Sequence, residues 1–161
     1  MKFISILILV LLFSGTDLVA QGHKADNHHH HHPKNEIGVG NYFVYLVSEK
    51  ENSYGLHLHY LRSFEESEFG IGLGYEQIFG EHDHKTLGIV GSYRPISPLV
   101  LSLSPGVLFP GGERSAMSFA LHAEAVYEFE INSFHLGPAI EFAYASNEFH
   151  LSIGLHLAYG F

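Results

Sequence analysis

The sequence has no cysteine among its 161 residues, and it has few basic residues. Without cysteine, neither a disulfide nor a thiolate metal site can form. Lysine and arginine together number 8 against 17 aspartates and glutamates, which gives a formal net charge of -9 at pH 7. Binding to a phosphate backbone needs a basic surface, so we expect no nucleic-acid partner.

The chain also lacks a long apolar run beyond its N-terminal region. The run from Ile4 to Phe13 is ten residues long, which is too short to cross a bilayer as a helix. Met1-Lys2 precedes this run, and small residues follow it up to Ala20. This is the layout of a secretory signal peptide, residues 1–20. We predict cleavage after Ala20, which leaves one domain's length of about 140 residues.

Histidine is concentrated just after the predicted cleavage site. The segment 21–35 has no apolar periodicity and is interpreted as a flexible His-rich arm in the periplasm. Neutral imidazoles bind Zn, Ni and Cu, and a flexible run provides many combinations of ligands. Two interpretations stay open, a metal-capturing arm and a polar tether with incidental affinity, and neither requires a cofactor. The candidate metal ligands are His23, His28, His29, His30, His31 and His32.

From residue 36 to the end, apolar residues alternate with small or polar ones. The clearest stretch is 149–161, where Phe, Leu, Ile, Leu, Leu, Tyr and Phe alternate with His, Ser, Gly, His, Ala and Gly. A period of two is typical of a half-buried strand. Short turn-rich segments separate such stretches, as in antiparallel hairpins. The eight predicted strands are 36–47, 53–62, 68–77, 85–94, 99–108, 115–129, 134–145 and 149–161.

Eight alternating strands fit two architectures, which differ in the direction of the apolar face. A lipocalin-like soluble barrel turns this face inward, whereas an outer-membrane barrel turns it toward lipid. The second face consists of Gly, Ala, Ser, His and Glu with almost no Lys or Arg, which suits a narrow lumen and makes a poor soluble exterior. Aromatic residues gather at the strand ends, as in membrane-interface girdles. We therefore predict an all-β, eight-stranded antiparallel up-and-down transmembrane barrel over 36–161, with short loops.

The signal peptide, the strand count and the terminal Tyr159-Gly160-Phe161 together resemble a known group. The chain looks like the small eight-stranded outer-membrane β-barrels of Gram-negative bacteria, the OmpA/OmpX-like barrel domains. The resemblance implies a location in the outer membrane, with its lipid as a partner. It also implies recognition of the strand ending in Phe161 by the barrel-assembly machinery. An even number of strands puts both termini in the periplasm, and we expect a monomer.

Ionisable residues on the second face are expected to meet in the lumen. Pairing the sixth and seventh strands about the turn 130–133 predicts His122 opposite Glu141 and His135 opposite Glu128. Buried charges need partners, so a stabilising network is a better interpretation than a metal site or a proton path. The expected lumen network comprises His57, His59, Glu76, His122, Glu124, Glu128, His135, Glu141, His150 and His156.

Two further patterns carry weaker functional signals. His150-Leu151-Ser152 is similar to the His-x-Ser element of outer-membrane lipid A deacylases, but it falls on the lumen face and no Glu follows on its strand. Glu81 to His84 is an acidic and His-rich cluster that is better interpreted as a solvated turn. We assign no catalytic residue and expect a non-enzymatic, porin-like barrel with accessory metal binding by the arm. The alternatives are a structural or adhesive barrel with an incidental His tract, and a deacylase-like enzyme.

Overall fold

The computed structural model describes residues 33–81, 83–111, 116–145 and 148–161, and these residues form an antiparallel barrel. The predicted signal peptide and the six candidate ligands of the arm lie outside the described residues. Within the described ranges, no helix is long and apolar enough to cross a membrane. The strands are β1 Asn35–Leu46, β2 Glu51–Ser63, β3 Phe69–Phe79, β4 His84–Ile96, β5 Leu99–Pro110, β6 Ser118–Tyr127, β7 Phe129–Ile131, β8 Phe134–Ala145 and β9 Glu148–Gly160.

The sheet closes on itself. Successive strands pair antiparallel, and β1 completes the circle by pairing with β9 along its length. The short β7 continues the line of β6 after a break at Glu128, and both pair with β8. Since β6 and β7 together occupy one strand position, the barrel has eight strands around its circumference. The predicted eight-stranded antiparallel fold is confirmed.

Side chains alternate between an exposed outer face and a buried lumen. β4 follows this rule from His84 to Arg94 without interruption. The outer face carries large apolar residues, such as Leu73, which is 59 % exposed, and Ile153, which is 61 % exposed. The prediction that the Phe/Leu/Ile/Tyr face points outward is therefore confirmed.

Apart from β8, the strands differ from their predicted bounds by one to three residues at one or both ends, and two of them also differ in where the strand is interrupted. β5 continues through Pro105, which stays in register opposite Leu121, up to Pro110. The sixth strand, predicted to run without interruption to residue 129, instead breaks at Glu128. The Glu128 N–H donates to the Pro98 carbonyl at 2.8 Å, outside the usual ladder.

The register between the sixth and seventh predicted strands differs by two residues from the prediction. His122 lies opposite Ala143, and Glu124 lies opposite Glu141. The predicted pairing assumed a four-residue turn, whereas β7 pairs with β8 down to Ile131 and Phe134 and leaves a two-residue turn. Asn132 in this turn has a φ of 56°, a left-handed conformation that asparagine tolerates better than most residues.

The two ends of the described chain meet at one end of the barrel. Asn35 and Phe161 exchange two backbone hydrogen bonds of 3.0 and 2.8 Å. Nearby, the Lys34 ammonium donates to the Glu65 carboxylate at 2.6 Å. This hydrogen bond, together with the positive charge, lowers the pKa of the exposed Glu65 carboxyl below its usual range.

The opposite end of the lumen is filled by apolar side chains. Val44, Leu46 and Ile78 are fully buried there. Leu108, Ala120 and Ala145 form a second buried group at the same end. Apart from His84, which lies opposite Ile78, the buried ionisable residues of the described lumen therefore lie between this apolar end and the end at which Asn35 pairs with Phe161.

Candidate functional site

The lumen holds two groups of buried ionisable side chains, which we name by position. The terminal cluster lies near the chain ends, and the central cluster lies further along the barrel. The terminal cluster consists of Glu36, His59, Arg94, Glu128, His135 and His156. The central cluster consists of His57, Glu76, His122, Glu141 and His150.

In the central cluster, imidazoles surround two carboxylates. His57 Nε2 lies 2.9 Å from Glu76 Oε1 and 3.3 Å from Glu141 Oε2. His122 lies between the same carboxylates, with Nε2 3.5 Å from Glu76 Oε2 and Nδ1 3.2 Å from Glu141 Oε2. His150 Nε2 is 3.6 Å from Glu76 and 3.5 Å from Glu141. Each imidazole therefore touches both carboxylates.

The barrel register explains how these residues meet. His57 on β2 lies directly opposite Glu76 on β3. His122 and Glu141 come from β6 and β8, where they are diagonal neighbours, a spacing that long side chains bridge. His150 comes from β9, and its ring centroid lies 5.7 Å from that of His122. Strands from opposite walls thus contribute to one cluster, because the lumen of an eight-stranded barrel is only as wide as its side chains.

A third carboxylate borders the central cluster. Glu124 lies directly opposite Glu141 in the β6–β8 ladder, which is an unfavourable position for two like charges. The Tyr42 hydroxyl donates to Glu124 Oε1. The central region therefore holds three carboxylates close together.

The terminal cluster is organised around one arginine. Arg94 Nη2 lies 3.1 Å from Glu36 Oε2 and 3.9 Å from Glu128 Oε2. His135 Nδ1 hydrogen-bonds Glu36 Oε2 at 2.9 Å and lies 3.6 Å from Glu128 Oε2. Arg94 is the only buried lysine or arginine among the described residues, so a permanent positive charge is found in this cluster and not in the central one.

A glycine makes room for two imidazoles of the terminal cluster. The rings of His59 and His156 stack with centroids 5.0 Å apart and an interplanar angle of 14°. A Cβ on Gly38 would lie 2.3 Å from His59 Cε1 and 2.8 Å from His156 Nε2. Gly38 is therefore the residue that the stacked pair requires at this position.

A cavity of about 50 Å³ adjoins the central cluster. His57, Glu76 and His122 border it, while small residues such as Gly88 and Ser104 form another wall. Such a volume holds a few water molecules beside the carboxylates.

The structure places the ten residues of the expected lumen network inside the barrel, where they are buried or half-buried. They divide into the two clusters, except that Glu124 borders the central one through Tyr42. The contacts of His122 with Glu141 and of His135 with Glu128 occur, although the predicted register between their strands does not. Sequence reasoning missed Glu36, Tyr42 and Arg94. Each of them occupies an alternate position that faces the lumen, so the alternation of its strand could have identified it.

The His-x-Ser element does not form a hydrolytic arrangement. Ser152 Oγ donates to Glu141 Oε1 at 3.2 Å, so its hydroxyl is engaged by the carboxylate and not by His150. Both residues are buried in the lumen and face away from lipid. Of the Glu81 to His84 cluster, His82 lies outside the described residues, and His84 is a buried lumen residue at the start of β4. The interpretation of that whole cluster as a solvated turn is therefore wrong for His84.

The closed barrel, its apolar outer face and its ionic lumen define the class of small eight-stranded barrels found in outer membranes. No protein-family model matches the chain, and no curated protein is similar to it in sequence. Among solved structures, the chain is similar to a de novo designed transmembrane β-barrel, with 14 % identity, coverage of 78 % of this chain and 96 % of that chain, and a TM-score of 0.55.

Two natural proteins show the same likeness. The Yersinia pestis outer membrane protein Ail is 15 % identical over 79 % of this chain and 99 % of its own, with a TM-score of 0.54. Neisserial surface protein A is 11 % identical over 79 % of this chain and 96 % of its own, with a TM-score of 0.53. The likeness at these identities concerns the fold, and it confirms the predicted resemblance to small outer-membrane barrels.

Proposed function

We propose that this protein is a non-enzymatic, non-conducting barrel of the bacterial outer membrane, with both termini in the periplasm. The observation that carries the proposal is a closed barrel with an exposed apolar face and a lumen filled by side chains. An apolar outer band is what a barrel presents to lipid, and closure leaves no unpaired strand edge in the membrane. The backbone pairing of Asn35 with Phe161 at one end of the barrel supports the location of both termini on the same side of the membrane.

The filled lumen supports the absence of a conducting pathway. An eight-stranded barrel has an interior just wide enough for its side chains. Here Val44, Leu46 and Ile78 occupy one end, and the Arg94 ion pairs occupy the other. In planar bilayers, the refolded protein is expected to give no conductance steps under conditions in which a sixteen-stranded porin does. Regular single-channel steps from the purified protein would contradict the proposal.

A deacylase-like activity has little support from the geometry of Ser152, whose hydroxyl donates to Glu141. The mass of lipid A from cells with and without the protein tests this point directly. We expect identical lipid A. A loss of acyl chains that depends on the protein and disappears in a Ser152→Ala variant would establish the enzyme instead.

We further propose an accessory role for the arm, the capture of Zn, Ni or Cu in the periplasm by its histidines. The chemistry of six imidazoles in ten residues supports it. Metal binding by the mature protein should fall sharply when residues 23–32 are deleted. A deletion strain should then grow poorly when zinc or nickel is limiting, and this defect should also appear in a strain lacking only 23–32. Normal growth of both strains would favour a purely structural barrel.

A further inference from the structure

We propose that the central cluster is a binding site for one divalent first-row transition-metal ion inside the barrel. His57, Glu76, His122 and Glu141 each supply one ligand atom, and His150 Nε2 lies beside both carboxylates at 3.6 and 3.5 Å. This site is separate from the His-rich arm and does not depend on any property of the arm.

Four side chains of the central cluster converge on one point of the lumen. One ligand atom from each of His57, Glu76, His122 and Glu141 can be chosen so that all four lie within 4.8 Å of one another. Ligands about 2.0–2.1 Å from a tetrahedral zinc ion lie about 3.3–3.4 Å from each other. With His57 Nε2, Glu76 Oε1, His122 Nδ1 and Glu141 Oε2 as the ligand atoms, the contacts of 2.9, 3.3 and 3.2 Å between imidazoles and carboxylates are close to these edges.

Several nitrogen and oxygen atoms of the central cluster are buried without a hydrogen-bond partner among the described residues. These are Nε2 of His57, His122 and His150 and both oxygens of Glu76. His57 Nε2 and Glu76 Oε1 are 2.9 Å apart, yet they are not aligned as a hydrogen bond. A nitrogen and an oxygen that lie this close without forming a hydrogen bond have the arrangement expected of two ligand atoms whose lone pairs are directed at the same metal ion. His150 is only 1 % exposed and Glu76 only 4 %, so bulk solvent does not reach these side chains.

The carboxylates of the central region also need a compensating positive charge. Glu76, Glu141 and Glu124 are close together, and an uncompensated buried carboxylate is strongly unfavourable. In the terminal cluster, Arg94 supplies the compensating cation. Among the described residues, no lysine or arginine is buried beside the central cluster, so imidazolium ions or a bound metal must take that role. An imidazolium donates along its N–H bonds, whereas Nε2 of His57 and of His150 lie 2.9 and 3.6 Å from Glu76 Oε1 without the alignment of a hydrogen bond, which favours the metal.

The Glu141 carboxylate is itself held in place. Ser152 Oγ donates to Glu141 Oε1 at 3.2 Å, so Oε2 is the oxygen available to the ion. Partners of this kind orient the ligands in metal sites and raise affinity. The adjoining cavity offers space for a water molecule as a further ligand.

The donor set indicates the class of metal. Two imidazoles and two carboxylates, with no thiolate, suit Zn²⁺, Co²⁺ and related first-row ions. Ca²⁺ and Mg²⁺ prefer six or more oxygen ligands, which this cluster does not provide. Zn²⁺ and Co²⁺ are therefore the probes, and Mg²⁺ is the negative control.

The test uses the full mature chain with the six arm histidines replaced by glutamine, so that the arm contributes no background. The protein is refolded in detergent with the metal present throughout, because the lumen is closed at both ends. After removal of free metal, we expect about one Zn²⁺ or Co²⁺ per barrel by mass spectrometry of the metal, and no Mg²⁺. Absence of bound Zn²⁺ and Co²⁺ from this protein would overturn the proposal and leave the function of the arm untouched.

His57 and His59 form a matched pair for the variants, because they are neighbours on one face of β2 with side chains 15 % and 13 % exposed. His57→Gln should weaken binding at least about 100-fold, since even loss of an orienting partner costs 10–100-fold. His59→Gln, in the terminal cluster, should bind like the parent. Equal binding by both variants, or a loss in His59→Gln alone, would overturn the assignment.

A second measurement applies if His57→Gln fails to fold. Co²⁺ bound to the parent barrel should shift the NMR resonances of the His57, His122 and His150 rings strongly and those of His59 and His156 weakly. The reverse pattern, or shifts confined to exposed residues, would refute the central cluster as the site.

Discussion

Removal of Arg94 tests how much the terminal cluster contributes to the free energy of unfolding of the barrel. Arg94 Nη2 is 3.1 Å from Glu36 Oε2 and 3.9 Å from Glu128 Oε2, and all three side chains are buried. In Arg94→Met, the volume is kept and the charge is lost, so both carboxylates keep only imidazole partners. Breaking a buried ion pair from one side costs about 3–5 kcal/mol.

The loss is measured by urea unfolding of the barrel in detergent or lipid vesicles. With a dependence of about 2 kcal/mol per molar urea, the midpoint should fall by about 1.5–2.5 M. Arg62→Met, at an exposed arginine, should change stability by about 0.5 kcal/mol or less. The double variant Glu36→Gln/Arg94→Met should recover part of the loss, because one of the two unpaired charges is removed with its partner.

A decrease of less than about 1 kcal/mol in the free energy of unfolding of Arg94→Met would contradict this role of Arg94. So would a double variant that is no more stable than the single one, since the unpaired Glu36 charge would then carry none of the cost.

Three further predictions follow from individual positions. Gly38→Ala should lower the free energy of unfolding by about 1–3 kcal/mol, because its Cβ clashes with the stacked imidazoles. Gly91→Ala is the control: its Cβ has its nearest contact at 3.8 Å, and it should lower the free energy of unfolding by less than about 1 kcal/mol. Comparable unfolding curves for the two variants would contradict this. Deletion of Phe161 should reduce the amount of folded, heat-modifiable barrel in outer-membrane fractions, and normal amounts would show that the assembly machinery does not need this residue. Mass spectrometry of the secreted protein should find a mature chain that begins immediately after Ala20, and any other N-terminus would refute the predicted cleavage site.

The architecture was predictable because the residue pattern of each strand shows which of its side chains face outward. Alternation in β3, where Phe69, Ile71 and Leu73 oppose glycines, needs no knowledge of the neighbouring strands. The same parity identifies Arg94, which continues the inward series of Val90 and Ser92 on β4, although sequence reasoning passed over it. Orientation is a local property, so it can be read from one strand at a time.

The membership of the two clusters could not be derived in this way. Which inward residues meet depends on the stagger between strands, and this depends on turn geometry that the sequence signals weakly. The two-residue turn at Asn132 and Ser133 moved the register by two positions, so that Glu124, and not His122, lies opposite Glu141. Diagonal reach of the side chains nevertheless restored the contact between His122 and Glu141.

The pairing of Asn35 with Phe161 means that the first and last strands form an ordinary ladder, closed without a covalent connection. Pro33 lies against Gly160, so a short peptide linker could join the two ends. The chain could then be cut in the turn between β1 and β2, around Ser48, to give a circular permutant with the same barrel. Such a permutant would end in β1 and begin in β2. It would separate two properties that β9 combines in this sequence: following the other described strands along the chain, and being followed at once by an aromatic residue, Phe161.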